Sequence, residues 1–385
     1  MTCTQQIREQ TEGTVKQKSQ CRMTDNAHEH SPLVSVIIPV YKTPVEFISR
    51  CIQSVTAQTY PSLEIILIDD GSPASYAAEY QKIAQNDKRI GIIRRQNGGV
   101  SAARNDGIKA ATGDWCLFVD ADDWTEDSLC TDALNVVQKF YMQNGYHTDI
   151  VLFPYCKEYG KHTEKISYFK NDFTVNTVES CNTLRTQVLY LESTLGSVWA
   201  KLYRREFIKK SGVLFDTDLS LGEDIEFNFR LFEHLKSAVY IHKFNYHYRY
   251  DDITVSNAFN PLFADKAERF AQKLYADALA SISDNQSVLI PLTNARIIHS
   301  ILGIALHFSF HRDNHRTENK KLHDFRKICE RPVFKQAIEQ ARYSDFSYMR
   351  KIALFCLKKR FYRCIRFIAC VRRIQYAVKS YRNIR

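Results

Sequence analysis

Two short acidic clusters, each following an apolar run, constrain this chain more than any other feature. Asp69-Asp70-Gly71 follows Glu64-Ile65-Ile66-Leu67-Ile68, and Asp120-Ala121-Asp122-Asp123 follows Trp115-Cys116-Leu117-Phe118-Val119. Short continuous apolar runs of this kind read as central strands of a parallel sheet, covered on both faces. Ligands of open α/β sheets sit just beyond the carboxyl ends of the strands. Carboxylates therefore stand twice where a nucleotide and a hard metal ion are expected.

The surrounding pattern agrees with such a sheet. Val34 to Val40 reads as a strand, followed by a helix from Val45 to Gln58 with Ile48, Ile52 and Val55 on one face. Leu63 to Ile68, Ile90 to Arg94 and the run ending at Asp120 supply three further strands, with helices over Tyr76 to Gln85 and Ser101 to Ala111 between them. A βαβαβαβ series packs as a right-handed, doubly wound parallel sheet. Ser101 is placed to cap its helix, and Asp123 to cap another over Thr125 to Phe140. Beyond residue 135 the signal weakens. Asp149 to Tyr155 and Ala238 to Ile241 read as strands, 160–180 as loop with hairpins, Val198 to Lys210 and Glu223 to Leu235 as helices, and 258–385 as wholly helical.

A chain of 385 residues exceeds one compact core. Its net charge of +10 is localised: residues 346–385 hold twelve Lys or Arg and no Asp or Glu, so the other 345 residues come to −2. The eleven cysteines are scattered without a C-x-x-C pair, which points to a reducing compartment rather than a disulfide framework. Residues 1–30 are polar and carry no apolar stretch of signal-peptide type, and Met23 is a candidate start. No segment reads as long and clean enough to span a bilayer; Ile297 to Phe310 reads as a buried helix.

Five segments in order carry a resemblance. They are Val34-Ser35-Val36-Ile37-Ile38-Pro39-Val40-Tyr41, Ile68-Asp69-Asp70-Gly71-Ser72, Asn97-Gly98-Gly99-Val100-Ser101-Ala102-Ala103-Arg104-Asn105, Asp120-Ala121-Asp122-Asp123 and Gly222-Glu223-Asp224. Through them the chain resembles the family 2 glycosyltransferases, firmly over 33–135 and more weakly to about 256. The resemblance implies a GT-A fold: an α/β, Rossmann-like, mostly parallel sheet flanked by helices, here with a C-terminal helical region. It divides the chain into a disordered tail (1–32), a nucleotide-sugar-binding half (33–135), an acceptor-binding half (136–257) and the helical region (258–385).

The resemblance also implies roles. Pro39 and Tyr41 would line the base pocket, Tyr41 being otherwise a surface aromatic. Asp70 would accept a hydrogen bond from the imide N–H of uracil, its alternative being a turn residue, and Asp69 is a structural cap. Arg104 and Asn105 would face the donor, although Arg104 could equally pair with a carboxylate at the sheet end. Asp120-Ala121-Asp122 is the DxD element. A nucleotide diphosphate and these carboxylates cannot share a site without a cation, so Mn²⁺ or Mg²⁺ is expected, with Asp122 as direct ligand and Asp120 nearer the ribose or a metal-bound water. Asp224 would be the general base of an inverting displacement and Glu223 its positioning partner; the alternative is an acidic pair favoured by a helix dipole. Trp199, in an expected acceptor-side helix, is acceptor wall or core. His247 is a third metal ligand or a structural histidine.

Gln-x-x-Arg-Trp is absent, since the tryptophans are Trp115, Trp124 and Trp199, so single-sugar transfer is expected rather than processive synthesis. The expected reaction moves one sugar from a UDP-sugar to a hydroxyl of a glycan or lipid-linked glycan in cell-surface polysaccharide synthesis. GDP- or dTDP-sugar donors, or a catalytically silent glycan-binding or scaffolding relative, are the alternatives. A dinucleotide oxidoreductase is set aside, because Pro39-Val40-Tyr41-Lys42-Thr43-Pro44 stands where G-x-G-x-x-G would be needed. In the tail, Lys358-Lys359-Arg360-Phe361-Tyr362-Arg363 and the segments after it interleave cations with large apolar groups. That pattern suits an anionic membrane surface over 348–385, with a charged bundle face as alternative and nucleic acid not expected. The location expected is cytoplasmic, peripheral at the inner face of the cell membrane. Donor sugar, acceptor and linkage are not encoded in any motif.

Overall fold

A computed structural model describes residues 31–384 apart from 161, 192, 194, 251–258 and 282–284. Residues 1–30 of the expected disordered tail (1–32), and with them the start at Met23, lie outside the described residues. The main sheet has eight strands in the order β3-β2-β1-β4-β10-β6-β11-β9. Its first part is the expected parallel unit of β1 (Val34–Val40), β2 (Leu63–Asp69), β3 (Ile90–Arg94) and β4 (Trp115–Phe118). Helices Val45–Thr56, Ala74–Ala84 and Val100–Ala110 connect these strands.

Side chains along the strands alternate between two cores, which is why the sequence reads as continuously apolar. Ile37, Ile66, Ile68, Cys116 and Phe118 enter one core. Val36, Ile38, Ile65, Leu67, Trp115 and Leu117 enter the other, where Ile48, Cys51, Ile52 and Val55 of the first helix meet them. Buried free cysteines such as Cys51, Cys116 and Cys130 serve as small apolar fillers.

The second part departs from the sequence reading. A short β5 (Trp124–Thr125) precedes helix Leu129–Asn144, so the helix expected from Thr125 starts later. The chain then forms β6 (Ile150–Leu152) inside the expected strand, the hairpin β7 (Tyr155–Tyr159) and β8 (His162–Ile166) and β9 (Phe173–Val175) around the stretch read as loop with hairpins, and an unexpected helix at Val178–Leu189. Val198 to Lys210, expected as one helix, is instead β10 (Lys201–Arg204) followed by helix Arg205–Ser211. β10 runs antiparallel to both β4 and β6, so the sheet is mixed rather than wholly parallel. Helix Glu223–Leu231 and strands β11 (Ala238–Tyr240) and β12 (Tyr246–Arg249) complete this part. β12 belongs to a second sheet, β5-β12-β7-β8.

The C-terminal region is helical, as expected: Phe263–Leu279, Gln286–Ile304, Glu318–Cys329, Pro332–Gln340, Tyr348–Lys358 and Tyr362–Ile384. With its π-helical extension the second of these runs over Gln286–Ser309, long and apolar enough to cross a membrane, contrary to expectation. Ile297, Ile298, Ile301 and Ile304 on it are nevertheless buried in a third core with Phe325, Phe334 and Leu354. The reading of 297–310 as buried helix therefore holds.

This region is not a separate body. Phe270, Leu274 and Ala278 enter the same core as Phe118, Phe227 and Phe229. Gly222 precedes helix Glu223–Leu231 with φ of 76°, and a Cβ placed there would sit 2.5 Å from the Phe270 ring. Only glycine meets both conditions without strain. The buried Arg185 reinforces the junction, donating to the Phe229 carbonyl at 3.0 Å and to Ser281 Oγ at 2.7 Å.

Candidate active site

The parallel strands deliver Asp69, Asp70 and Asp120 to one edge of the sheet. Asp69 is the turn cap expected of it, accepting from the Ser72 N–H at 2.8 Å. Asp70 is buried and its carboxylate is fully engaged. It accepts from the Arg95 guanidinium, from the N–H groups of Gly98 at 3.0 Å and Gly99 at 2.8 Å, and from Asn97 Nδ2 at 3.1 Å. Arg95 also pairs with Asp106 at 2.7 Å. The loop 95–99 is thus wrapped around Asp70, with Gly99 at φ of 87° turning the chain into the next helix. The expected hydrogen bond to uracil would have to share an oxygen or displace one of these donors. Pro39 is half-buried at the end of β1, and beside it Tyr41 stands 46% exposed, with the Lys42 ammonium 4.9 Å from its ring centre.

The Asp120–Asp123 cluster divides by environment. Asp123 is buried and accepts from the Tyr246 hydroxyl at 2.6 Å and the Arg249 N–H at 2.8 Å. It ties the cluster to β12, which corrects its expected role as a helix cap. Burial first, then Asp120 and Asp122, push its carboxyl well above the usual range. Asp122 is partly buried, and the Asp120 side chain keeps 28% of its surface open.

Arg104 joins the two halves of the site. Its side chain is buried, yet its guanidinium meets Asp224 at 2.5 Å, Asp120 at 3.0 Å and Glu223 at 3.6 Å. The open alternative for Arg104 is resolved in favour of pairing with carboxylates. Burial opposes its charge, but the three acids outweigh it and hold its pKa above the ordinary value. Its Nε–H finds no acceptor among the described protein atoms, leaving one donor for water or ligand.

Asp224 and Glu223 open helix Glu223–Leu231, whose N-terminus favours negative charge. Burial nevertheless pushes Asp224 up to about 7; Arg104 opposes that shift, and Glu223 and Asp120 add to it. A carboxyl with that pKa can take up or release a proton near neutrality.

Lys201 escaped the sequence reading. It is buried on β10, its ammonium donating to the Ser197 carbonyl at 2.5 Å, and burial pushes it down to about 7 against the pull of Asp224. A lysine inside the apolar run Trp199-Ala200-Lys201-Leu202-Tyr203 was the available signal.

Four other expected residues lie elsewhere. Asn105 does not face a donor: its amide is paired twice with the Phe215 backbone, at 2.8 and 2.9 Å. Ser101 does not cap its helix; its hydroxyl reaches the Leu219 carbonyl at 3.4 Å. Trp199 is core, stacked between Tyr246 at 5.1 Å and Tyr248 at 5.2 Å. His247 has both ring nitrogens in use, Nδ1 with Glu158 at 2.7 Å and Nε2 with Glu126 at 2.8 Å, while its ring stacks on Trp124. Among the described residues it falls in a metal-type group with Cys156 and Glu158, their ligand atoms within 4.8 Å of one another, and not with Asp120 and Asp122.

Comparison with known proteins agrees with this geometry. Residues 35–212 match the sequence model of Glycosyl transferase family 2. EpsH of Bacillus subtilis (strain 168) is 28% identical over 364 residues, covering 91% of this chain and 98% of that protein. EpsJ of the same strain is 33% identical over 220 residues, 57% of this chain and 61% of that protein. The names of both mark them as glycosyltransferases. The crystal structure of S. aureus TarS 1–349 in complex with UDP-GlcNAc superimposes with a TM-score of 0.59 at 18% identity, covering 89% of this chain and 92% of that one.

Proposed function

We propose, for a chain that residues 35–212 make a member of the family 2 glycosyltransferases, the transfer of a single sugar from a UDP-sugar to a hydroxyl of a glycan or lipid-linked glycan, with inversion at the anomeric carbon. The observation that carries this reading is the Arg104 bridge. One guanidinium holds Asp224, the candidate base, and Asp120, the donor-side acid, in a single cluster. In the proposed step Asp224 takes the proton of the acceptor hydroxyl while that oxygen bonds to the anomeric carbon. The bond from that carbon to the diphosphate oxygen breaks, and its electron pair leaves with the diphosphate. Glu223, 3.6 Å from Arg104, keeps the base oriented. Residues 33–135 hold the donor in this reading and 136–257 the acceptor.

Asp122 and Asp120 fit Mn²⁺ or Mg²⁺: both are hard oxygen donors beyond the end of β4 and both keep part of their surface open, whereas Asp123 is buried. When bound, such an ion stabilises negative charge on the leaving diphosphate. UDP leads the donor choice because the TarS fragment, whose fold this chain shares, is described with UDP-GlcNAc. GDP- and dTDP-sugars stay in the panel, because Asp70 already accepts internal donors and thymine carries the same imide N–H as uracil.

Thermal unfolding with UDP, GDP and dTDP, each with Mn²⁺ and with a chelator, tests donor class and metal together. A metal-dependent rise with UDP is expected, followed by diphosphate release from a UDP-sugar that Asp224→Asn slows about a thousandfold. Stabilisation by none of the three, with no turnover, would leave a silent glycan-binding relative.

A further inference from the structure

The last two helices expose a set of large apolar side chains that no described residue covers. Tyr348, Met349 and Phe355 lie on Tyr348–Lys358, Phe361 sits at the junction, and Phe367 and Ile374 lie on Tyr362–Ile384. Phe367 is 69% and Met349 58% exposed. Beside this set, a cavity of about 380 Å³ opens between these helices and Gln286–Ser309. Leu302, Leu306, Ile365 and Ile368 are among its walls, and Arg350 and Arg372 line it too. His299 and His307, also in the lining, are pushed down to about 4, mainly by burial, so these two side chains are neutral at neutral pH.

The charge pattern is one-sided. Residues 346–385 hold twelve cations and no acid. Among the described residues, Arg366 pairs with Glu318 at 2.9 Å and Arg360 with Glu330 at 3.5 Å. The part of the tail read as a charged bundle face is therefore real, but it leaves the apolar set unexplained. A second copy of the same cationic face would be repelled by it. Residues 1–30, with four basic and four acidic residues and few apolar ones, offer little to fill an apolar cavity. Nucleic acid would use the cations but not Met349, Phe367 or Ile374.

We propose that this face seats on a bilayer of anionic phospholipid, with an acyl chain of one lipid entering the cavity and Arg350 and Arg372 taking its phosphate. Apolar burial and cationic attraction then act together on one surface. The inference is independent of the glycosyl-transfer reading and stands or falls on lipid binding alone.

Flotation of the full chain with vesicles tests it. Binding is expected to vesicles of phosphatidylcholine mixed with phosphatidylglycerol, weakened by salt, and not to phosphatidylcholine alone. Phe367→Asp is expected to weaken that binding about tenfold or more by removing apolar burial. Arg372→Gln is expected to weaken it and make the salt dependence shallower. Phe367 is exposed, so an unchanged melting temperature separates these effects from misfolding. In Ile368→Trp, quenching by brominated acyl chains beyond that of wild type would support insertion into the cavity. Equal binding to both vesicle types, binding unaffected by Phe367→Asp, or an unquenched Ile368→Trp would overturn the proposal. So would an absence of vesicle binding together with RNA binding, or with a dimer that Phe367→Asp dissociates.

Discussion

Arg104 and His247 are each clasped between carboxylates, yet the two clusters differ in what they can do. Arg104 stays charged at any accessible pH and is buried, meeting three acids that come from β4 and from the start of helix Glu223–Leu231. His247 sits in the smaller sheet, between Glu126 and Glu158 and flat against Trp124. One buried cation is shared by three acids there, and burial first, with Glu223 and Asp120 adding to it against Arg104, pushes the Asp224 carboxyl up to about 7. The single histidine uses both ring nitrogens, on Glu158 and Glu126, and lies flat on Trp124 where β12 pairs with β5 and β7. The two clusters thus differ in what they join: Arg104 ties the sheet end that carries Asp120 to the helix that carries Asp224, whereas His247 ties together the strands of the smaller sheet.

Four substitutions or titrations sharpen or break that contrast. Asp224→Asn, which keeps shape and removes the base, should lower kcat about a thousandfold, equal to about 4 kcal/mol on the barrier, with little change in melting temperature. Steady-state kinetics with a saturating donor would decide it, and retained turnover would break the assignment. Arg104→Gln leaves three acids without a cation and should cost about 3 kcal/mol of stability, seen in urea unfolding. The acidic limb of the kcat profile should fall about tenfold per pH unit below the Asp224 pKa.

The sign of the accompanying stability change is opposite. A carboxyl whose folded pKa is raised stabilises the fold at low pH, and that contribution is lost as pH rises from the ordinary carboxyl range through about 7. Activity should rise while stability falls over the same interval, and Asp224→Asn should flatten both. The smallest effect belongs to His247→Gln, about 1 kcal/mol of stability with kcat and its metal dependence unchanged. A lost metal requirement in that variant would move His247 into the donor site.

The legible parts of the sequence were those whose partners lie close along the chain. Strands β1 to β4 and their helices follow one another, so apolar runs and turn residues located them to within a few residues. β10 is inserted antiparallel between β4 and β6, strands from two different stretches. It is buried on both faces, and no periodicity then separates strand from helix over Val198 to Lys210. The same rule divides the site residues. Asp69 caps a turn three residues away and was read correctly. Asp123 resembles a local helix cap, but its partners are Tyr246 and Arg249, more than a hundred positions distant. Spacing alone could not show that Asp70 would be enclosed by loop 95–99, or that Asn105 would bond the Phe215 backbone.

The contact between Gly222 and Phe270 bears on how this protein can be cut and recombined. A boundary near residue 258 looks like the natural place to separate a catalytic cassette from a helical appendix. Cutting there would remove the aromatic ring against which the first turn of the Asp224 helix is set, along with Leu274 and Ala278 from the core beneath it. The excised fragment would expose an apolar socket directly behind its own candidate base. Exchanging the C-terminal region between relatives would therefore require carrying Phe263–Leu279 and Gln286–Ile304 with the sheet, leaving the later helices as the interchangeable module.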